Sequence, residues 1–234
     1  MKNIVSFSGG KDSTAMLLMM VEYGISIDEI IFCDTGKEFP QMYDHINKVE
    51  KCINRKITRL NEPGYFDHMM FDHVKTKGKH KGKRGYGWPY PRVRWCTARL
   101  KQEPFKKYVK EKYGRDYVKY IGIAFDEFKR WDNNKEQEEI SVMPLIDWRM
   151  TEGMALKYCY DRGFDWGGLY THFDRVSCWC CPLQNQRDLF VLYSFYPRLW
   201  AALKDMDERS WNQFKDTHSI IDFENKFNEL MKRD

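Results

Sequence analysis

The chain has no apolar run long enough to cross a bilayer: the longest near its start, Ala15 to Val21, is far short of the roughly 20 residues a membrane helix needs. No leader-like segment precedes the first apolar pattern, because Met1-Lys2-Asn3 runs directly into it, so the expectation is a cytoplasmic protein. In that compartment the seven cysteines are not expected to pair as disulfides. Acid is missing from Lys75 to Arg94, a stretch holding eight lysines and arginines. Internal repeats and an obvious linker are missing too. So are the two commonest nucleotide-loop spellings, the eight-residue loop ending Gly-Lys-Ser/Thr and the dinucleotide Gly-x-Gly-x-x-Gly.

What is present is a different loop. Behind the apolar pair Ile4-Val5 stands Ser6-Phe7-Ser8-Gly9-Gly10-Lys11-Asp12-Ser13. Paired glycines let the backbone approach an anion and turn its N–H groups toward it. The helix opening at Ser13 adds its N-terminal donors and dipole, and Lys11 adds a mobile positive charge. With 42% hydrophobic and 31% charged residues in 234, the composition describes one substantial globular core with room for a smaller C-terminal part.

Periodicity lays out alternating elements. Strands are expected at residues 3–7, 28–33, 57–60, 117–125 and 140–146, and helices at 14–23, 38–53 and 104–113. The helix at 104–113 has Pro104 in its first turn. This alternation implies an α/β fold with a doubly wound, mostly parallel five-stranded sheet, whose ligands gather at the C-terminal strand ends. The rest reads as helical, at 152–162, 187–193, 198–208 and 221–231. The division expected is therefore 1–150, an α/β domain with a basic loop at 75–94, and 151–234, a mostly helical region.

Four cysteines are placed for chemistry. Cys178, Cys180 and Cys181 crowd four positions ahead of Pro182, and Cys96 lies in Arg-Trp-Cys-Thr-Ala-Arg-Leu-Lys. Four thiolates brought together can hold a 4Fe–4S cluster or a Zn²⁺ ion, or they can be buried simply as small apolar groups. Cys33, Cys52 and Cys159 fall inside a strand and two helices, where core packing is expected. The basic stretch, with Lys77, Lys79, Lys81, Lys83, Arg92 and Arg94 among Tyr86, Trp88 and Tyr90, reads as an irregular mobile loop. It can grip a phosphate backbone and stack unpaired bases, or it can be a solvated loop only.

The Ser-Gly-Gly-x-Asp-Ser loop resembles that of the PP-loop ATP pyrophosphatases. Further along, Asp34-Thr35-Gly36-Lys37-Glu38-Phe39-Pro40 and Cys96-Thr97-Ala98-Arg99-Leu100-Lys101-Gln102-Glu103-Pro104-Phe105 resemble segments of the phosphoadenosine phosphosulfate (PAPS) reductase family. Ile121-Gly122-Ile123-Ala124-Phe125-Asp126-Glu127 with Arg130, and Pro144-Leu145-Ile146-Asp147-Trp148, are similar more loosely; Ala124 stands where that family has arginine. The resemblance spans about residues 3–185 and implies an adenine nucleotide alpha hydrolase-like fold.

It further implies that Ser6, Ser8, Gly9, Gly10, Lys11, Asp12 and Ser13 hold the phosphates of ATP. Asp34, Thr35, Gly36, Arg99 and Lys101 would then serve the rest of the nucleotide. Lys11, Asp12 and Ser13 would act in catalysis, with Asp12 helping to hold Mg²⁺. In the iron–sulfur reductases the cluster cysteines come as two pairs, whereas here they come as one plus three, Cys96 with Cys178, Cys180 and Cys181. The reductases also use a cysteine near the C-terminus, and none follows Cys181. The expectation is therefore nearer the metal-centre sulfur-transfer pyrophosphatases of DNA phosphorothioation and tRNA thiolation, with DNA or tRNA as acceptor and a sulfur donor such as a cysteine desulfurase as partner. A PAPS reductase and a non-catalytic adenine-nucleotide sensor are the alternatives, and a protein or small-molecule acceptor stays open.

Overall fold

Strand β1 (Lys2–Phe7) is buried on both faces and enters helix α1 (Lys11–Glu22) after three residues. The computed structural model describes residues 1–60, 64–78, 80–128, 140–215 and 217–232. Its contacts divide the chain into two units that interleave in sequence: Met1–Asp34, Pro40–Leu60 and Gln102–Tyr170 form the first, and Thr35–Phe39, Asn61–Lys101 and Thr171–Asp234 the second. The chain passes between them several times, a grouping different from a single cut at residue 150.

The first unit carries the sheet. Strands β2 (Glu29–Cys33), β3 (Thr58–Leu60), β4 (Tyr117–Ile121) and β5 (Ile140–Val142) join β1 in the order β3-β2-β1-β4-β5. Every pair is parallel, with Val5 opposite Ile30 on one side and Tyr120 on the other. Parallel neighbours need crossovers, and right-handed ones put α1 and α2 (Pro40–Ile53) on one face, because both steps run the same way along the sheet. The step from β3 back to β4 runs the other way, so α3 (Glu103–Tyr113) covers the opposite face, where Phe105 and Val109 pack on Ile4 and Ile31.

Two strands stop short of their expected ends. β4 ends at Ile121, because Gly122 lies against the start of α1 and Phe125–Glu127 coil into a tight helical turn. β5 ends at Val142, because Pro144 begins a short helix, Pro144–Asp147. Helix α4 (Glu152–Tyr160) follows, capped by the Thr151 side chain accepting the Met154 N–H. Helix α1 is buried nearly all round from Lys11 to Met20, although Val21, expected on its apolar face, is 38% exposed. The expected Arg130 and all of 129–139 lie outside the described residues.

The second unit holds α5 (Gln186–Phe195), α6 (Pro197–Arg209) and α7 (Ile220–Met231), which pack through Trp200, Phe223 and Phe227. Among the described residues no helix is long and apolar enough to cross a membrane.

One buried acid ties β2 to its neighbours. Glu29 accepts the hydroxyls of Thr58, Tyr108 and Tyr113 at 2.6, 2.7 and 2.6 Å, and the Lys112 ammonium at 3.0 Å. Glu29→Ala would leave those donors facing a void, and is expected to lower the unfolding free energy by about 3 kcal/mol. Urea unfolding checks this; a loss below about 1 kcal/mol would mean that water replaces the network.

Candidate functional site

At the C-terminal end of β1, in the middle of the sheet, the backbone turns at Gly9 with φ +78°. A Cβ there would lie 2.6 Å from the Met42 sulfur, so glycine is required on two counts, handedness and space. Gly10 is the N-cap of α1 in extended conformation. The Ser13 hydroxyl organises the turn from inside: it donates to the Gly10 carbonyl (3.1 Å) and accepts from the Ser8 N–H (3.2 Å) and the Ser8 hydroxyl (2.9 Å). Gly122 completes the cradle from β4, since a Cβ there would come within 2.6 Å of Ser13 Cα.

Three residues distant in sequence fix this loop, and nothing local in the sequence announced them. The Trp166 indole donates to the Gly9 carbonyl at 2.7 Å. The Tyr170 hydroxyl accepts the Lys11 N–H at 2.9 Å. His45 Nε2 pairs with the Thr14 hydroxyl at 2.9 Å, and its ring stacks on Trp166 with centroids 4.3 Å apart. Cys159 is core as expected, its thiol 3.6 Å from the Lys11 carbonyl and pushed up to about 12 by burial.

Lys11 differs from the mobile charge expected of it. It is 5% exposed, and its ammonium lies 3.2 Å from Glu152 and 3.7 Å from Asp12. Among the described residues one acidic group could hold a metal ion, Asp12, Glu127 and Glu152, whose ligand atoms lie within 4.8 Å of one another. Burial pushes the Asp12 carboxyl up to about 6, against the pull of Lys11 and with the help of Glu152 and Glu127, and its Oδ1 is buried without a hydrogen-bond partner. A divalent cation would supply that partner. Glu127 and Glu152 were not expected at the site. Glu127 lies in one of the loosely similar segments, and Glu152 looks like an ordinary helix-start acid. Asp34, at the end of β2, accepts the Tyr43 hydroxyl at 2.8 Å.

The cysteines form a separate constellation inside the second unit. The Cys178 sulfur lies 3.4 Å from the Thr35 hydroxyl and 3.5 Å from Glu38, which Lys101 approaches at 3.7 Å. Gln184 closes the turn by donating to the carbonyls of Cys178 and Trp179, and Trp179 N–H donates to the Lys37 carbonyl. Cys96, on the short helix Trp95–Thr97, has its thiol raised first by burial and then by the charge of Cys181. Burial, then Glu38, raises Cys178; burial, then Cys178, raises Cys180 far above the usual thiol range. Neutral buried thiols facing one another are what a soft metal centre would deprotonate on binding. Among the described residues no three of these sulfurs lie mutually within 4.8 Å. Thr35, Gly36, Arg99 and Lys101, expected at the nucleotide, belong to this unit. Cys33 is half-buried as a packing residue, but Cys52 is exposed rather than packed.

The basic stretch holds no regular strand or helix among its described residues, as expected of a loop, but it is pinned at several points. Val74 and Arg84 form an antiparallel bridge, the Lys75 N–H donates to the Lys83 carbonyl, and the Lys75 ammonium sits 4.6 Å from the centre of the Trp211 ring. Trp88, expected to stack bases, is 1% exposed with its indole on Asp207 at 2.9 Å, so it is core and unavailable. Tyr86 stacks on Trp95, and the Tyr90 hydroxyl accepts from Asn212. Lys77, Lys81, Lys83, Arg92 and Arg94 remain exposed, while Lys79 lies outside the described residues.

The phosphoadenosine phosphosulfate reductase domain matches residues 2–184, from β1 through the last cysteine. The chain belongs to this family. Its curated relatives include two uncharacterized proteins of Methanocaldococcus jannaschii. One is 27% identical, with 87% of this chain and 41% of the relative covered, and the other 28% identical, with 87% and 47% covered. An uncharacterized nin region protein of Escherichia phage lambda is 33% identical, with 56% and 50% covered. The chain thus spans half or less of the length of these relatives. Among solved structures, a PAPS reductase from Candida auris in complex with phosphate is 16% identical at TM-score 0.49, covering 76% of this chain and 82% of that one. The U34-tRNA thiolase of Methanococcus maripaludis with its 4Fe–4S cluster is 13% identical at TM-score 0.47, covering 99% and 72%. The all-parallel five-stranded sheet observed here is the fold that membership of the family implies.

Two measurements test this loop. Gly122→Ala would drive a methyl into the Ser13 backbone, and is expected to lower the unfolding free energy by about 2 kcal/mol in urea; an unchanged value would mean that β4 does not shape the cradle. Burial holds the His45 imidazole down at about 3, below the 6.5 of an ordinary histidine. Stability from this neutral ring is present above pH 6.5 and lost as pH falls, because the unfolded chain takes up the proton first. The loss between pH 8 and pH 5 is expected to be about 2 kcal/mol and absent in His45→Asn, as read by denaturant unfolding at both pH values.

Proposed function

We propose that this family member is an ATP pyrophosphatase-type enzyme that adenylates an acceptor and supports sulfur transfer through a cysteine-held metal centre. The observation that carries the reading is the carboxylate group Asp12, Glu127 and Glu152 beside an anion-binding loop. Carboxylates repel phosphate, and Lys11 offsets only one of the three, so a further cation between the two would reconcile them. Cleaving ATP between its α and β phosphates releases pyrophosphate, a leaving group whose charge a Mg²⁺ held there would neutralise.

In this reading the loop N–H groups and Lys11 bind and orient the polyphosphate, and Ser13 keeps the turn in shape. An acceptor oxygen attacks the α phosphorus as the bond to the bridging oxygen breaks. A sulfur nucleophile then displaces AMP from the adenylated acceptor. Cys96, Cys178, Cys180 and Cys181 would hold the metal centre, which would carry or activate that sulfur. Four cysteines could serve either a 4Fe–4S cluster or a Zn²⁺ ion, and this reading takes the cluster. The exposed Lys77, Lys81, Lys83, Arg92 and Arg94 favour a nucleic-acid acceptor, DNA or tRNA, bound through its backbone.

Anaerobically prepared protein should contain iron and sulfide, and with Mg²⁺, ATP and tRNA or DNA should give AMP and pyrophosphate. Asp12→Asn is expected to slow pyrophosphate release roughly a hundredfold, and Cys181→Ser to lose the metal. Thioredoxin-dependent sulfite release from PAPS, without AMP formation from ATP, would replace this reading with the reductase.

A further inference from the structure

Residues Trp166 to Gly168 run through three consecutive left-handed conformations, with φ +52°, +58° and +83°. For the glycines this costs little, but for Trp166 it is strained backbone, kept only where the surroundings determine it. What it achieves is visible at the loop. The Trp166 indole reaches the Gly9 carbonyl, and Tyr170, packed edge-on against Trp166 at 4.8 Å between centroids, places its hydroxyl on the Lys11 N–H. One short turn therefore holds the peptide groups on both sides of Gly10.

The Lys11 N–H is the first free donor of α1, one of the groups an anion at a helix start would use. Here that donor goes to a hydroxyl, which has its own proton to give, and among the described residues nothing accepts that proton. The Tyr170 oxygen lies 3.4 Å from where a Cβ on Gly10 would stand, and the buried Lys11 ammonium is 5.7 Å from its ring centre. We infer that Tyr170 is a phosphate-binding residue. Its hydroxyl accepts the Lys11 N–H and donates its proton to a phosphate oxygen of the nucleotide, extending the donor set of the loop outward. An N–H feeding an O–H that binds an anion strengthens the second bond by polarisation. This rests on the nucleotide reading of the loop given above.

Tyr170→Phe removes only the hydroxyl and keeps the ring against Trp166. Calorimetric titrations of the full chain with Mg·ATP, Mg·pyrophosphate and adenosine separate the outcomes. The variant is expected to bind Mg·ATP and Mg·pyrophosphate about ten- to a hundredfold more weakly, as loss of a hydrogen bond to a charged group implies, with adenosine affinity and melting temperature unchanged. Equal or tighter binding of the phosphates would overturn the inference, since the tyrosine oxygen would then be neutral or a competitor for the anion. Parallel loss of adenosine affinity would overturn it too, as the effect would be structural. If the parent chain binds neither Mg·ATP nor Mg·pyrophosphate, the nucleotide reading of the loop itself falls, and this role of Tyr170 with it.

Discussion

The Gly9 turn is the constraint on which the first unit depends. A strand buried on both faces must become a helix buried nearly all round within three residues, and the connecting backbone must leave donors pointing outward. Only a left-handed residue without a Cβ fits under the Met42 sulfur. Once Gly9 is so placed, its carbonyl needs a partner, and the Trp166 indole provides one. The stacking of His45 on Trp166, the bond from His45 to Thr14 and the close approach of Gly122 all serve to hold a turn that short-range chemistry alone would leave loose.

Charge is arranged around that turn in opposition. Backbone donors and the α1 dipole favour an anion, while Asp12, Glu127 and Glu152 favour a cation, and Lys11 is held among the carboxylates. Partial burial strengthens these interactions most at Lys11 and Asp12, which are less exposed than Glu152. Asp12 therefore has a raised pKa and an unpartnered oxygen, which a cation would satisfy. In the proposed function, such a site would suit a metal–polyphosphate pair better than either component alone.

In the second unit the same logic works on sulfur. Buried thiols are kept neutral by desolvation, with Lys37 and Lys101 close enough to stabilise the thiolates that the proposed metal centre would require. The basic loop nearby in sequence spends its aromatic residues on the core: Trp88, Tyr86 and Tyr90 are tied to Asp207, Trp95 and Asn212. Lysines and arginines are left at the surface, where their charges repel each other least.

The sequence by itself determined what depends on neighbours along the chain. The Gly9-Gly10 pair declared the strand-to-helix turn because handedness and missing side chains are local properties. The order of strands and helices was legible because a two-residue and a 3.6-residue period are properties of short windows, and Cys178, Cys180 and Cys181 stood out by spacing alone. Where β4 and β5 end was not legible, because Gly122 stops one strand through a contact with Ser13, more than a hundred positions away. Trp166, Tyr170, Glu127 and Glu152 look ordinary in the sequence for the same reason, and Trp88 looks like a surface aromatic in a basic loop until Asp207 and Phe214 enclose it. Only the tertiary structure decided these roles, since each arises from a contact between residues far apart in the chain.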